Sequence, residues 1–276
     1  MWVLLAIAVF AVPPPVAAKP SAGCERSRLD TGRRIERAIA VGDQRREFIL
    51  DVPTNVAPGK PVPLLFDFHG FGHSGPGVWK VSEFKALAER HGFITVYPTG
   101  LPVTLELRGR EQTGPGWQMR AGPDNRDLAF TRAMLDEIER DYCVDLDRVF
   151  STGFSNGAFF SSLLGCEMSE RFAAVAPVAG GALRGDCRPR RPVPVLIQHG
   201  TRDDLIPIEW ARAGRDQWLT ANGCKAPASG ALDGAPACAR HDQCGGTSVV
   251  VYCEEDFAHR WPAHATERIW RFFAER

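Results

Sequence analysis

The chain has 276 residues, and its 33 Lys and Arg side chains are balanced by 33 Asp and Glu side chains. The formal net charge of zero at pH 7 gives no overall basic excess of the kind typical of nucleic-acid-binding proteins, so we expect no nucleic-acid partner. The length alone permits one or two domains.

The N-terminus carries an apolar run, residues 2–12, that has signal-peptide length and is too short to span a bilayer. Three prolines end the run, and the small residues at 16–18 suit a cleavage site. We therefore predict a signal peptide over 1–18, a mature chain over 19–276, an extracellular or periplasmic location and no membrane partner. A lipoprotein is the alternative, because residues 21–24 loosely resemble an acylation motif that ends in Cys24.

Strand and helix patterns alternate along the mature chain. Buried-strand patterns occupy 46–52, 64–68, 93–97, 148–152, 173–178, 193–198 and 249–252, and helical patterns occupy 81–91, 128–142, 158–164, 209–220 and 266–273. This alternation predicts an α/β fold with one doubly wound, mostly parallel sheet in a single domain. The polar, Gly-rich segment 101–126 is predicted to be a long loop that roofs a site.

The sequence Gly-Phe-Ser-Asn-Gly at 153–157 lies between a strand pattern and a helix pattern. A serine on such a sharp turn presents its hydroxyl at the sheet edge, and flanking glycines avoid backbone clashes. The helix N-terminus behind Ser155 favours the negative charge of an acyl-transfer intermediate. Ser155 is therefore a candidate nucleophile. The alternative is an ordinary strand-loop-helix turn.

A nucleophilic serine needs a base and an orienting carboxylate. Asp203 and Asp204 follow the strand at 193–198, and His259 follows the strand at 249–252. Carboxyl ends of neighbouring parallel strands meet at one rim of the sheet, where α/β folds place their sites. Either aspartate is a candidate acid at this point, and His259 is the candidate base.

The segments His-Gly-Thr-Arg-Asp-Asp-Leu-Ile-Pro at 199–207 and His-Arg-Trp-Pro at 259–262, behind the 153–157 sequence, carry a family resemblance. With the stretches 141–149 and 172–180, they resemble secreted α/β-hydrolase esterases that include feruloyl esterases and poly(3-hydroxybutyrate) depolymerase-like proteins. The resemblance runs from about Cys24 to the C-terminus. It is specific for fold and reaction, and less so for substrate.

By position, the resemblance implies Ser155 as nucleophile, Asp203 as acid and His259 as base. Residue 204 falls where these proteins vary. The chain departs from the family pattern before the histidine, because residues 256–258 replace a usual glycine pair and Arg260 replaces a small polar residue.

The oxyanion of the acyl-transfer intermediate needs two backbone donors. One is the amide of Asn156, which follows the nucleophile. The second is expected from the His-Gly-Phe-Gly turn at 69–72, with Phe71 as first choice and Gly72 next. The alternative is that this turn only shapes the end of a strand.

Two tryptophans are candidate substrate-binding residues: Trp117 in the long loop and Trp261 beside His259. Packing is the alternative for both. His69 and His199 precede glycines at strand ends, which favours structural hydrogen bonding. Metal-site spacings are absent from the sequence, so we expect no metal or cofactor.

Eight cysteines beside a signal peptide indicate up to four disulfides. The strand before Ser155 and the helix after it travel similar distances in opposite directions, which predicts a Cys143–Cys166 bridge. Cys24–Cys187 follows by elimination. The four cysteines over 224–253 cluster as in feruloyl esterases, with their pairing open.

Together these observations predict a secreted, monomeric serine carboxylic-ester hydrolase that releases hydroxycinnamic acids from plant cell-wall polysaccharide. An alternative is an esterase of hydroxyalkanoate oligomers or short acyl esters. A third reading is a non-catalytic secreted binding protein, which the complete Ser, Asp and His set disfavours.

Overall fold

A ten-stranded mixed sheet forms the centre of the protein. The structure, a computed structural model, describes residues 18–26, 31–225, 227–232 and 234–276. All but the last residue of the predicted signal peptide lies outside these ranges. The six central strands run parallel, and the two strands at each edge pair antiparallel.

The strands of this sheet and of a separate hairpin, β5 and β6, have the following bounds: β1 Gly32–Val41, β2 Gln44–Val52, β3 Val62–Phe68, β4 Ile94–Pro98, β5 Leu101–Leu107, β6 Arg110–Gly116, β7 Val144–Phe154, β8 Ala174–Val178, β9 Val195–Gly200, β10 Gly230–Leu232, β11 Ala235–His241 and β12 Val250–Glu255. The strand order in the sheet is β1-β2-β4-β3-β7-β8-β9-β12-β11-β10. The strands β7 and β12 have some half-buried or exposed positions, whereas β3, β4, β8 and β9 are buried along their whole length. Their continuous apolar runs are therefore typical of a parallel sheet covered on both faces.

The helices are α1 Gly75–Val81, α2 Phe84–His91, α3 Arg126–Asp141, α4 Asn156–Glu167, α5 Ile208–Ala221 and α6 Ala265–Ala274. Apolar residues of α3, α4 and α5 pack in one hydrophobic cluster, and those of α2 and α6 pack in another. The sheet therefore has helices on both faces, which confirms the predicted α/β-hydrolase architecture.

Two predicted elements are wrong in detail. The predicted helix over 81–91 is broken at Ser82, whose extended backbone separates α1 from α2. The predicted loop over 101–126 contains the β5–β6 hairpin. Apolar residues alternate along β5, and this two-residue period is the signal that the loop interpretation overlooked.

The four disulfides join Cys24–Cys143, Cys166–Cys187, Cys224–Cys244 and Cys238–Cys253. The predicted Cys143–Cys166 and Cys24–Cys187 bridges are therefore wrong. The equal lengths of the strand and the helix place Cys143 and Cys166 at the same level along the strand direction. They do not fix the sideways distance between the two residues. Helix α4 packs on both β7 and β8, so its end is displaced sideways from the start of β7. At the start of β7, a 3-10 helix, Ala22–Glu25, brings Cys24 beside Cys143.

Removing the Cys24–Cys143 bridge is expected to cost more stability than removing Cys238–Cys253. The first joins residues 119 positions apart and the second residues 15 apart. Chain-entropy arguments give about 5 kcal/mol for the long ring and about 3 kcal/mol for the short one. Urea unfolding of the two paired Cys→Ser variants measures this. An equal or reversed order would contradict it.

A buried carboxyl group lies on β3 below the rim of the sheet. Asp67 accepts a hydrogen bond from the Ser82 hydroxyl at 3.1 Å, and burial raises the pKa of Asp67 to about 7. Tyr97 in turn lies within 3.5 Å of the same hydroxyl. This polar chain anchors the break between α1 and α2 to the sheet.

Asp67→Asn is expected to stabilise the protein at pH 8 and to have little effect near pH 4. The folded pKa of Asp67 exceeds the unfolded value of 3.8, so folding takes up a proton between these values, and wild-type stability is lost as pH rises through about 7. A shift of about three units corresponds to about 4 kcal/mol. Unfolding free energies of both proteins from pH 4 to 8 check this. A pH-independent difference would contradict it.

Candidate active site

Ser155 occupies a strained turn between the last residue of β7 and the first residue of α4. Its backbone has φ 54° and ψ −118°, and its amide donates to the Val178 carbonyl at 3.0 Å. A Cβ at Gly153 would lie 2.5 Å from the Gly157 carbonyl oxygen, and one at Gly157 would lie 2.2 Å from the Phe68 carbonyl oxygen. Glycine on both sides is therefore a steric requirement of this turn.

His259 bridges Ser155 and Asp203. Its Nε2 is 3.0 Å from Ser155 Oγ, and its Nδ1 is 2.7 Å from Asp203 Oδ2. A carboxylate only accepts, so Nδ1 carries the proton and Nε2 is free to accept from the serine hydroxyl. The Asp203 side chain is fully buried, whereas 14% of the His259 side chain is exposed. The three groups thus form a continuous hydrogen-bonded chain.

The structure distinguishes the two aspartates that the residue pattern left open. Asp203 Oδ1 accepts from the amides of Leu205 at 3.0 Å and Ile206 at 2.8 Å, which directs Oδ2 at His259. Asp204 is exposed and pairs with Arg108 at the tip of the β5–β6 hairpin at 2.6 Å. Asp203 therefore lies against the imidazole, and Asp204 does not.

The loop before His259 is fixed without the usual glycine pair. Phe257 is buried, and its carbonyl accepts from the Arg202 amide at 3.1 Å. Asp256 pairs with the Arg202 side chain. A Cβ at Gly200 would lie 2.0 Å from the Phe257 carbonyl oxygen, so the two loops need a glycine there for contact. The loop that carries Asp203 and the loop that carries His259 are thereby held together, while Arg260 is exposed.

Two further histidines are buried and structural in their contacts. His69 Nδ1 donates to the Gly70 carbonyl at 2.7 Å, and Nε2 accepts from the Gly100 amide at 2.9 Å. Burial lowers the pKa of His69 to about 4. His199 Nε2 lies 2.9 Å from the Ile206 carbonyl, and burial lowers its pKa as well. Both rings are therefore neutral supports of the loops around Ser155.

The turn at 69–72 lies beside Ser155, since a Cβ at Gly70 would lie 3.5 Å from Ser155 Cβ. The Gly72 amide donates to the Pro115 carbonyl at 2.8 Å and is therefore occupied. Among the described hydrogen bonds, the Phe71 amide has no acceptor. The Asn156 amide begins α4 and has no carbonyl one turn earlier to pair with. Of the predicted donors, Phe71 and Asn156 are thus free.

The end of β6 supports both free amides, which the sequence did not reveal. The Phe71 ring packs over Gly114 and Gly116, where a Cβ would lie 3.3 and 3.4 Å from ring atoms. The Asn156 side chain accepts from the Trp117 amide at 2.7 Å and donates to the Trp117 carbonyl at 3.0 Å. One backbone segment, 114–117, therefore sets the positions of both candidate donors.

The two tryptophans differ in position. The Trp117 ring is fully buried, stacks on Phe160, and donates from Nε1 to the His69 carbonyl at 2.9 Å. The ring therefore supports the 69–72 turn from below, and direct substrate contact by Trp117 stays a prediction. Trp261 is half-buried, donates to Thr266 Oγ1 at 3.0 Å and packs on Phe84.

Across residues 18–26, 31–225, 227–232 and 234–276, no three His, Cys, Asp or Glu side chains are grouped closely enough to hold a metal ion. None of the helices in this part of the chain is long and apolar enough to cross a membrane.

Comparisons with known proteins establish the family of the chain. No family model matches the chain. Feruloyl esterase D of Neurospora crassa is 30% identical over 232 residues, which cover 82% of this chain and 76% of the relative. Feruloyl esterase C of Emericella nidulans is 28% identical over 241 residues, which cover 83% of each chain.

Solved structures share the fold. An acetyl xylan esterase from Aspergillus awamori superposes with a TM-score of 0.65 at 16% identity, covering 87% of this chain and 99% of that one. A ferulic acid esterase from Anaeromyces mucronatus, solved with ferulic acid, has a TM-score of 0.55 at 15% identity, covering 91% and 93%. The chain belongs to the feruloyl esterase family and is a carboxylic ester hydrolase with an α/β-hydrolase fold.

Proposed function

We propose that the protein releases hydroxycinnamic acids, such as ferulic acid, from plant cell-wall polysaccharide through an acyl-enzyme on Ser155. The hydrogen-bonded chain from Asp203 through His259 to Ser155, at 2.7 and 3.0 Å, carries this proposal. The names of the two feruloyl esterase relatives support the acyl group. The substrate is thus an ester linked to polysaccharide, or a small ester of the same acid.

Acylation begins when Ser155 Oγ attacks the ester carbonyl and His259 Nε2 takes its proton. Asp203 holds the imidazole in the tautomer that accepts at Nε2, and it stabilises the imidazolium that forms. The tetrahedral oxyanion accepts hydrogen bonds from the Phe71 and Asn156 amides. The imidazolium then gives its proton to the leaving alcohol as the carbon–oxygen bond breaks.

Deacylation repeats these steps with water in place of the serine. His259 removes a proton from water, which attacks the acyl carbonyl, and the same two amides stabilise the second oxyanion. The proton passes to Ser155 Oγ as the free acid leaves. No cofactor or metal is needed in this sequence of steps.

Asn156→Ala is expected to lower kcat on methyl ferulate by about 10- to 100-fold, with a small change in KM. The amide donor remains, but its tie to the Trp117 backbone is lost, and a displacement of about 1 Å can cost about 100-fold. Steady-state kinetics measure this. Gln112→Ala, at an exposed position of β6 outside the groove lining, is the control. Unchanged kcat in Asn156→Ala would show that the bonds from the Asn156 side chain to Trp117 do not position the Asn156 amide for catalysis.

Substrate choice separates the proposal from its alternative. The purified mature protein is assayed with methyl ferulate, a 3-hydroxybutyrate oligomer and p-nitrophenyl acetate, each beside Ser155→Ala. The proposal expects Ser155-dependent turnover with the highest kcat/KM on methyl ferulate. Preference for the oligomer would identify an esterase of hydroxyalkanoates. Absence of Ser155-dependent turnover of all three substrates would contradict both the feruloyl esterase proposal and the hydroxyalkanoate esterase alternative.

We further propose that the protein is secreted and acts as a monomer. Four disulfides support an oxidising compartment, because such bonds persist outside the cytosol. The apolar run at 2–12 supports an export signal. Mass spectrometry of the exported protein tests the cleavage after residue 18, and gel filtration tests the monomer.

A further inference from the structure

A large open groove lies beside the β5 strand and the loop that follows the hairpin. It has a volume of about 1290 Å³ and lies between the β5 segment 102–106, the loop 117–126 and the segment 184–185. Trp117 belongs to its edge, and the Trp117 backbone bonds to Asn156, the residue after Ser155. The groove is therefore connected to the Ser155 turn through Trp117.

The loop wall of the groove is built by a network of hydrogen bonds. The buried Asn125 side chain donates to the carbonyls of Gln118 at 3.1 Å and Arg120 at 2.7 Å. The Gln118 amide donates to Asp127 at 2.9 Å, and the Gln118 side chain accepts from the Arg126 amide at 3.0 Å. The backbone that carries Arg120 is therefore held in one arrangement.

The opposite wall is also fixed. The Gln217 side chain accepts from the Leu183 amide at 2.9 Å and donates to the Leu183 carbonyl at 3.2 Å and the Gly185 carbonyl at 2.8 Å. The Cys166–Cys187 disulfide ties the following residues to α4. Arg184 thus projects from a rigid segment.

The charges of the groove are largely unused by the protein. Arg120 and Arg184 are exposed, and the described hydrogen bonds and ion pairs give neither side chain a partner. Arg126 donates to the Pro102 carbonyl at 2.6 Å, while its Nε is buried without an acceptor. Glu106 and Asp124 are the lining acids and form no described ion pair. Three cations therefore face two anions.

We propose that the groove binds the saccharide side of the ester substrate and that Arg120 and Arg184 bind a carboxylate on that saccharide, as in a uronic acid. Unpaired guanidinium groups match the planar geometry of a carboxylate. Glu106 and Asp124 accept hydrogen bonds from sugar hydroxyls, and the apolar side chains of Val103 and Leu105 pack on sugar rings. The inference rests on the proposed function, since the saccharide is the leaving group of that reaction.

A matched pair of substrates tests the groove. One is a feruloylated xylo-oligosaccharide that carries a uronic acid, and the other is the same compound after reduction of the carboxyl to an alcohol. Arg120→Ala with Arg184→Ala is expected to raise KM for the acidic substrate about tenfold, with kcat unchanged. KM for the reduced substrate and for methyl ferulate should stay the same. Higher salt should raise the wild-type KM for the acidic substrate alone.

The control is Arg132→Ala. Arg132 is also exposed, but it lies on α3 outside the groove. An equal rise in KM for methyl ferulate would show that the groove holds the acyl group, which overturns the inference. No rise for the acidic substrate would overturn it as well. If wild type hydrolyses no ferulate ester, the proposed function fails, and calorimetric binding of the acidic oligosaccharide to Ser155→Ala still decides whether the arginines bind it.

Discussion

Replacing Ser155 or His259 by alanine is expected to lower kcat on methyl ferulate by about 10⁶-fold, the size of loss that follows removal of either member of such a pair. The two atoms that exchange the proton, Ser155 Oγ and His259 Nε2, are 3.0 Å apart, and each variant removes one of them. Because the residues act as one unit, the double variant should lose no more activity than either single variant.

Steady-state kinetics with methyl ferulate measure these losses. Ser229→Ala, at an exposed serine beside the edge strand β10, is the control and should retain wild-type kcat. Circular dichroism establishes that each variant is folded. Additive losses in the double variant, or near wild-type activity in either single variant, would contradict the assignment.

Asp203→Asn is expected to lower kcat by about 10⁴-fold. The Asp203 carboxylate is fully buried, and two amides fix one oxygen so that the other accepts from His259 Nδ1 at 2.7 Å. An amide at this place can offer its NH₂ group to Nδ1, which moves the imidazole proton to Nε2. The imidazole then has no free lone pair for the serine proton.

Asp204→Asn is the matched control for this change. Asp204 is next in sequence, and its one described ion pair is the exposed contact with Arg108. Exposed pairs contribute about 0–1 kcal/mol, so activity and stability should remain close to wild type. A loss in Asp204→Asn comparable with that in Asp203→Asn would contradict the assignment of the acid.

The parallel core and the rim that carries the site were predictable from local patterns. Several central strands have continuous apolar runs, and Ser155, Asp203 and His259 come within a few residues of the ends of β7, β9 and β12. Because parallel strands end at one edge, their order in the chain was enough to bring the three residues together. The free amide of Phe71 followed similarly from its place after β3.

The features that sequence reasoning missed depend on contacts between distant segments. No local pattern shows that the Asn156 side chain binds the Trp117 backbone or that the Phe71 ring needs Gly114 and Gly116. The Cys143–Cys166 prediction failed for a related reason. The lengths of the strand and the helix give the positions of the two cysteines along the strand direction, but not their sideways separation. The alternation of apolar and polar residues along β5 was visible in the sequence, but it lay within a segment that was predicted to be a loop.

The central claim, that Ser155 forms the acyl-enzyme, is tested most directly by labelling with diethyl p-nitrophenyl phosphate followed by peptide mass spectrometry. Ser155 Oγ attacks phosphorus, p-nitrophenolate leaves, and a diethylphosphoryl group stays on the serine. We predict one adduct per chain, on the peptide that contains residues 153–157, with loss of esterase activity in proportion to labelling. Full inactivation with the adduct on another residue, or full activity with Ser155 labelled, would contradict the mechanism.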